Sequence, residues 1–167
     1  VLIRSDVALR HFYQPYVKNV IALLEEQGVK FHYNTEATEV IKDGDNFIVK
    51  TNNGLELSGD YVIGALGRIA NVENIGLEKA GVEFGTKGIP VNGYMQSNVE
   101  NIYATGDVAD TNQAKLVTVA IHQSKYLAKY LLGETKDEIT YPVVPAVVFT
   151  LPRIATVGVT AAYALEH

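Results

Sequence analysis

Hydrophobic and polar positions alternate with two different periods along this chain, and the switches between them mark out its elements. Val1-Leu2-Ile3 is a short apolar run of strand type. Val17, Val20, Ile21 and Leu24 then recur at i, i+3, i+4 and i+7, the spacing that lays one stripe along a helix. Pro15 suits the first helical position, where its missing N–H costs nothing, and Gly28 stands where a left-handed cap ends a helix. Val29, Phe31 and Tyr33 alternate with Lys30, His32 and Asn34, the period of a strand. Strand, helix and strand of these lengths predict a βαβ unit with a parallel pair.

The pattern then turns antiparallel. Val40-Ile41, the turn Asp43-Gly44-Asp45 and Phe47-Ile48-Val49 read as a hairpin. Asn52-Asn53-Gly54 is a second turn before Leu55 and Leu57, and Asp60-Tyr61-Val62-Ile63-Gly64-Ala65-Leu66 predicts a buried apolar strand ending at Gly67. A short helical signal follows at Leu77–Ala80, with strands expected at Ile89–Val91 and Asn101–Thr105. A second amphipathic helix is expected from about Val117 to Leu132, with Leu116, Ala120, Gln123, Leu127 and Leu131 near one stripe. Glu134–Thr140 is polar and linker-like, Pro142–Phe149 and Ile154–Val159 predict two more strands, and the composition shifts near Tyr141. The predicted fold class is α/β, a doubly wound sheet interrupted by an antiparallel meander.

Composition changes this picture mainly by exclusion. The 167 residues contain no cysteine, which removes disulfides, thiolate metal sites, iron–sulfur clusters and thiol nucleophiles from this stretch. His11, His32, His122 and His167 are scattered without metal-ligand spacing. Fourteen basic against 19 acidic side chains give a net charge of −5, a poor match to a nucleic-acid backbone. No apolar run approaches the roughly 20 residues that span a bilayer. The first residues do not read as a signal peptide, Val1 is not expected to be a natural start, and Leu165-Glu166-His167 reads like the beginning of a purification tag.

Several residues are placed to carry chemistry. Arg4 and Arg10 flank the loop after the first strand, where a dinucleotide-binding βαβ unit approaches the adenosine ribose. A carboxylate there accepts from a free 2′-hydroxyl, whereas a guanidinium matches the oxygens of a 2′-phosphate. Taken alone, the two arginines read as solvated surface charges rather than as a phosphate site. Gly64-Ala65-Leu66-Gly67-Arg68 is either an ordinary turn or a strand end that lets backbone approach a ligand. Thr105-Gly106-Asp107 puts a carboxylate past a strand end, either to stabilise the turn or to accept hydrogen bonds from a polyol. The N-terminus of the following helix, near Leu116–Val119, offers partial positive charge. Asp43 and Asp45 are read as turn residues and His122 as a structural or surface residue. No phosphate-cradling GxGxxG is present.

Together these runs resemble one family. Arg4 and Arg10, Gly64–Arg68 followed by Asn71, the Asn101–Ala109 run, Pro145–Thr150 and Val157–Thr160 stand in the order found in the FAD-dependent pyridine nucleotide–disulfide oxidoreductases, most like its glutathione reductase branch. The resemblance runs from Val1 to about Thr160. It implies a partial NADP-binding domain of Rossmann type over residues 1–68, the returning segment of an FAD-binding domain over 69–138 and the first strands of an α+β dimer-interface domain over 139–164. Residues 165–167 are left over as tag.

It also implies roles. Arg4 and Arg10 face the NADP 2′-phosphate, with Ser5 beside it, and Gly67 and Arg68 lie along the nicotinamide half. Gly106 and Asp107 meet the ribityl–pyrophosphate region of FAD, and Leu116, Val117 and Thr118 lie under the flavin's pyrimidine edge. The implied parent takes hydride from NADPH to FAD and on to a small disulfide such as glutathione disulfide, as a cytoplasmic homodimer with no nucleic-acid or membrane partner. Mercuric reductases, trypanothione-type reductases and dihydrolipoamide dehydrogenases stand beside glutathione reductase as possible parents.

The sequence departs from the family pattern at two positions. Val117-Thr118 replaces the family's Thr-Pro, and Ala70 replaces a proline. The family's two GxGxxG loops and redox cysteines would lie upstream of Val1, and its catalytic histidine and glutamate downstream. The chain is therefore expected to be an internal fragment, inactive by itself and prone to associate with another copy. The alternative from a different class is a non-catalytic nucleotide-binding or interaction module.

Overall fold

Strand β1, Leu2–Ile3, lies parallel to β2, His32–Tyr33, with Leu2 beside His32 and Ile3 beside Tyr33. Helix α1, Gln14–Glu26, is the crossover between them, so the expected βαβ unit is present. The computed structural model describes residues 1–166, apart from the side chain of Ala162. The chain forms two compact units, one from Val1–Ala65 with the chain from Pro145 onward, the other from Leu66–Val144.

In the first unit, α1 starts behind an extended Tyr13 and carries Pro15 second in the helix rather than first. Its end is closed by two reaching-back bonds. The Gly28 amide donates to the Glu25 carbonyl at 2.9 Å and the Val29 amide to the Leu24 carbonyl at 3.0 Å. Gly28 supplies the left-handed φ of +91° that this cap requires. Val17 and Val20 are buried, with Ile21 and Leu24 packed beside them, so the i, i+3, i+4, i+7 stripe is the buried face.

The meander follows as β3 (Ala37–Asp43), β4 (Asn46–Thr51) and β5 (Glu56–Gly59), antiparallel and in that order. Gly44 turns the first hairpin at φ +60°. Asn53 organises the second, accepting from the Thr51 hydroxyl at 2.6 Å and donating to the Thr35 hydroxyl at 3.1 Å. Later in the chain, β8 (Ala146–Val148) and β9 (Ile154–Thr156) form an antiparallel pair, followed by α3, Ala161–Glu166. Ile154 is buried against Val17 and Val20.

The second unit has a core of Val72, Leu77, Val82, Ile89, Met95, Ala104 and Ala109. Here β6 (Ile89–Pro90) runs parallel to β7 (Ala109–Asp110), just after a 3-10 turn at Gly106–Val108. Helix α2, Val117–Leu131, supplies Val119 and Gln123 as buried residues. The chains approach so closely before β6 that a Cβ on Gly88 would sit 2.1 Å from the Val108 carbonyl oxygen.

Several expected strands are shorter or absent. Residues 60–66 form no strand. Tyr61, Ile63 and Leu66 are 89%, 90% and 95% exposed, so the segment is not a buried strand. A strand needs a ladder partner, and no described strand lies alongside this run. Asn101–Thr105 is reduced to one antiparallel bridge between Tyr103 and Gln96, because the tight turn closed by the Ile102 amide on the Val99 carbonyl uses up the run.

Val29–Tyr33 pairs only over its last two residues, since β1 offers two partners. Ile89–Val91 is reduced to β6, and the Pro142–Phe149 run to β8, following two prolines that have no N–H to donate. Leu165 and Glu166, expected as tag, continue α3; His167 lies outside the described residues.

Candidate functional site

Two clusters of expected site residues form, one in each unit. In the first, Arg4 and Ser5 follow β1 directly, at its carboxyl end, and Arg10 closes the same loop. This loop is shaped from within. The Ser5 hydroxyl donates to the Val7 carbonyl at 2.9 Å, and Leu9 takes a left-handed φ of +46°. The Gln14 amide reaches back from the first position of α1 to the carbonyls of Ala8, Leu9 and Phe12, at 3.3, 3.3 and 3.1 Å.

Beside the loop opens a cavity of about 830 Å³, with Arg4, Ser5 and Arg10 among its polar lining and Val17, Val20 and Leu24 among its apolar lining. Arg4 is held by Glu36, Nε to Oε1 at 2.6 Å, with its side chain largely in solvent. Two guanidinia on one loop beside an apolar-floored cavity suit an organic anion.

In the second unit, the Gly106–Val108 turn presents Asp107 beside the start of α2. Gly106 makes the turn at φ +73°, and its amide donates to Gln123 Oε1 at 2.6 Å. Lys115 Nζ donates to the carbonyls of Asp107 and Lys87, at 2.5 and 2.7 Å. The Asp107 carboxylate faces the Arg68 guanidinium at 3.5 Å, and both side chains remain more than half exposed.

Leu116 is the N-cap of α2 and no side chain caps the helix, which leaves its first amides available. A cavity of about 480 Å³ is lined by Arg68, Asp107, Lys115, Val117, Ala120 and Ile121, among others. The pattern-breaking Thr118 is exposed and lies outside this lining, whereas Val117 is part of it. Gly67, at φ +116°, leads into Arg68.

The structure thus brings Arg4, Ser5 and Arg10 together, and Arg68, Gly106, Asp107 and Val117 together. It adds residues that sequence reasoning did not assign to a site. Gln14, Glu36, Lys115, Gln123 and Tyr141 all contact the two clusters or their supports. Gln123 was visible only as a polar residue on an apolar stripe.

The family model for pyridine nucleotide-disulphide oxidoreductase matches residues 1–124. The chain belongs to this family. Its curated relatives include a dihydrolipoyl dehydrogenase of Chlamydia muridarum, 39% identical over 144 residues covering 86% of this chain and 30% of the relative. Another is the chloroplastic/mitochondrial glutathione reductase of Pisum sativum, 33% identical over the whole chain and 30% of the relative.

The crystal structure of LpdA from Mycobacterium tuberculosis superposes with a TM-score of 0.86 at 28% identity, over 99% of this chain and 36% of that one. The flavoprotein disulfide reductase RclA of Escherichia coli, at 24% identity, shares the fold with a TM-score of 0.88 over 99% of this chain and 38% of its own. The chain therefore has the flavoprotein disulfide reductase fold and spans about a third of the length of these relatives. Among the described residues, no helix is long and apolar enough to cross a membrane.

Proposed function

We propose that this chain is the middle part of an NADPH-dependent FAD flavoprotein disulfide reductase of glutathione reductase type, acting on a small disulfide as a cytoplasmic homodimer. The observation that carries the reading is the pair Arg4 and Arg10 on one loop at the carboxyl end of β1. Their guanidinia bind the 2′-phosphate of NADP, and Ser5 lies beside them. Glu36 holds Arg4 in the meantime. The segment carrying Gly67 and Arg68 lies toward the nicotinamide.

The Asp107 cluster fits FAD by its donor set. An exposed carboxylate accepts from polyol hydroxyls, uncapped helix amides face electron-rich oxygen, and Val117, Ala120 and Ile121 give apolar wall. FAD, when bound, relays electrons between the nicotinamide and the disulfide. The chain supplies no thiol, so it binds and orients but does not turn over by itself. In this reading residues 1–68, 69–138 and 139–164 belong to the NADP, FAD and interface domains of the parent.

The test is the ratio of kcat/KM for NADPH over NADH in the intact enzyme. Each hydrogen bond to a charged group contributes about 1.5–3 kcal/mol, so Arg4→Ala or Arg10→Ala is expected to lower the ratio roughly ten- to a hundredfold. An unchanged ratio rejects the phosphate role. A second reading, a dihydrolipoyl dehydrogenase, draws on the 39% identity to the chlamydial relative. It predicts an enzyme that prefers NADH from the outset.

A further inference from the structure

Among the described residues, Gln123 is the most deeply buried polar side chain, at 1% exposure. It sits on the inner face of α2 with both ends of its amide occupied. Oε1 accepts the Gly106 amide at 2.6 Å, and Nε2 donates to the Tyr141 hydroxyl at 3.0 Å. Tyr141 in turn directs its hydroxyl toward the Met95 sulfur at 3.8 Å, and its ring packs against His122 at 5.5 Å between centroids. His122 is itself anchored to the Thr140 carbonyl at 2.7 Å.

A single buried side chain thus ties the Gly106 turn to the segment after the polar linker. Nothing about folding a helix demands a glutamine here. An apolar residue would serve the core, and a buried amide is retained at a cost unless all its bonds are made.

The Gly106 amide is the group that needs it. It opens the left-handed turn that aims Asp107, and it makes no helical or ladder bond of its own. We propose that Gln123 is a positioning residue: it fixes the Gly106–Asp107 turn in the conformation that binds the flavin cofactor, with Tyr141 fixing the rotamer of Gln123. This rests on the flavin role given to Asp107 above. Lys115 holds the other side of the same turn through the Asp107 carbonyl. The backbone of Asp107 is thereby clamped on both sides, while its carboxylate, about half exposed, faces only the exposed Arg68 guanidinium at 3.5 Å and can exchange that partner for a ligand.

The experiment measures FAD dissociation from the intact flavoprotein by fluorescence, well below the melting temperature. The variants are Gln123→Met, Gln123→Glu, Tyr141→Phe and Asp107→Ala. Gln123→Met, which keeps the length and loses both bonds, is expected to weaken FAD binding at least tenfold. Gln123→Glu, which still offers an oxygen to the Gly106 amide, recovers most of that loss, and Tyr141→Phe gives an intermediate loss of a few fold. In this chain alone, hydrogen exchange at the Gly106 amide is expected to accelerate in Gln123→Met and to stay slow in Gln123→Glu.

A lowered melting temperature with unchanged FAD affinity and unchanged Gly106 exchange overturns the proposal, because a purely structural glutamine would behave that way. If Asp107→Ala releases FAD and Gln123→Met does not, the positioning role alone fails. If neither variant affects FAD, the flavin role of Asp107 fails. Should Gln123→Met not fold, Tyr141→Phe decides by the same two readouts.

Discussion

Single residues set the geometry of both clusters, and Gly88 shows how little freedom they have. It combines a φ of +123° with an open side toward the Val108 carbonyl, and any Cβ would collide with that oxygen. Gly88→Ala is therefore expected to destabilise the protein by about 2–4 kcal/mol, from backbone strain and a forced separation of β6 and β7. Chemical denaturation of the two proteins checks it, and a loss under about 0.5 kcal/mol would show that the two strands yield easily. Gly44 marks the opposite case, since nothing lies within 4 Å of its missing side chain and only its φ of +60° favours glycine. Arg4 is a third kind of residue, exposed and held by one carboxylate, so it contributes little to the stability of the fold.

At the scale of elements, α2 carries an aromatic face that responds to pH. Tyr126 stacks on Tyr130 at 6.2 Å and donates to the Asp137 carbonyl at 2.8 Å. Burial, with Tyr130 as the next cause, raises its pKa above the ordinary 10.0. A phenol whose folded pKa is raised contributes stability that is fully present below pH 10 and is lost as pH rises through the folded value. In the meander, Lys50 is raised in the same direction by its hydrogen bond and charge pairing with Glu39, 3.0 Å away. Stability is thus expected to be insensitive to these groups between pH 7 and 9 and to fall above pH 10. Tyr126→Phe should make that fall shallower, as urea midpoints measured against pH would show.

The elements also show what the sequence made legible. Both long helices and the meander were readable, because their burial pattern repeats locally and their turns carry Gly and Asn. The run at 60–66 was misread because apolar composition signals a strand only when a partner exists, and pairing is not a local property. For the candidate site, Arg4, Arg10 and Asp107 could be picked out from the sequence as charged residues beside turns. Lys115, Gln123 and Tyr141 were not, because each acts through a partner 8 to 18 residues away in the chain.

For the molecule as a whole, apolar surface is the dominant unmet demand. Tyr61, Ile63, Leu66 and Ile69 stand open in succession, with uncharged side chains from Tyr61 to Gly67. Such a run is a template for pairing with another chain. The isolated 18.2 kDa chain is expected to scatter light with a mass above the monomer at micromolar concentration. Ile63→Lys is expected to shift it toward the monomer, and a wild-type monomer under those conditions would contradict the expectation.

The first unit is built from two stretches of chain with the whole of the second unit between them, and Ile154, buried together with Val17 and Val20, comes from the later stretch. On the ribosome, α1 therefore emerges before the chain from Pro145 onward, and Val17 and Val20 wait through the synthesis of Leu66–Val144 for Ile154. The order of completion reverses the order of translation: the segment made second can finish folding first, and the segment made first is the last to close.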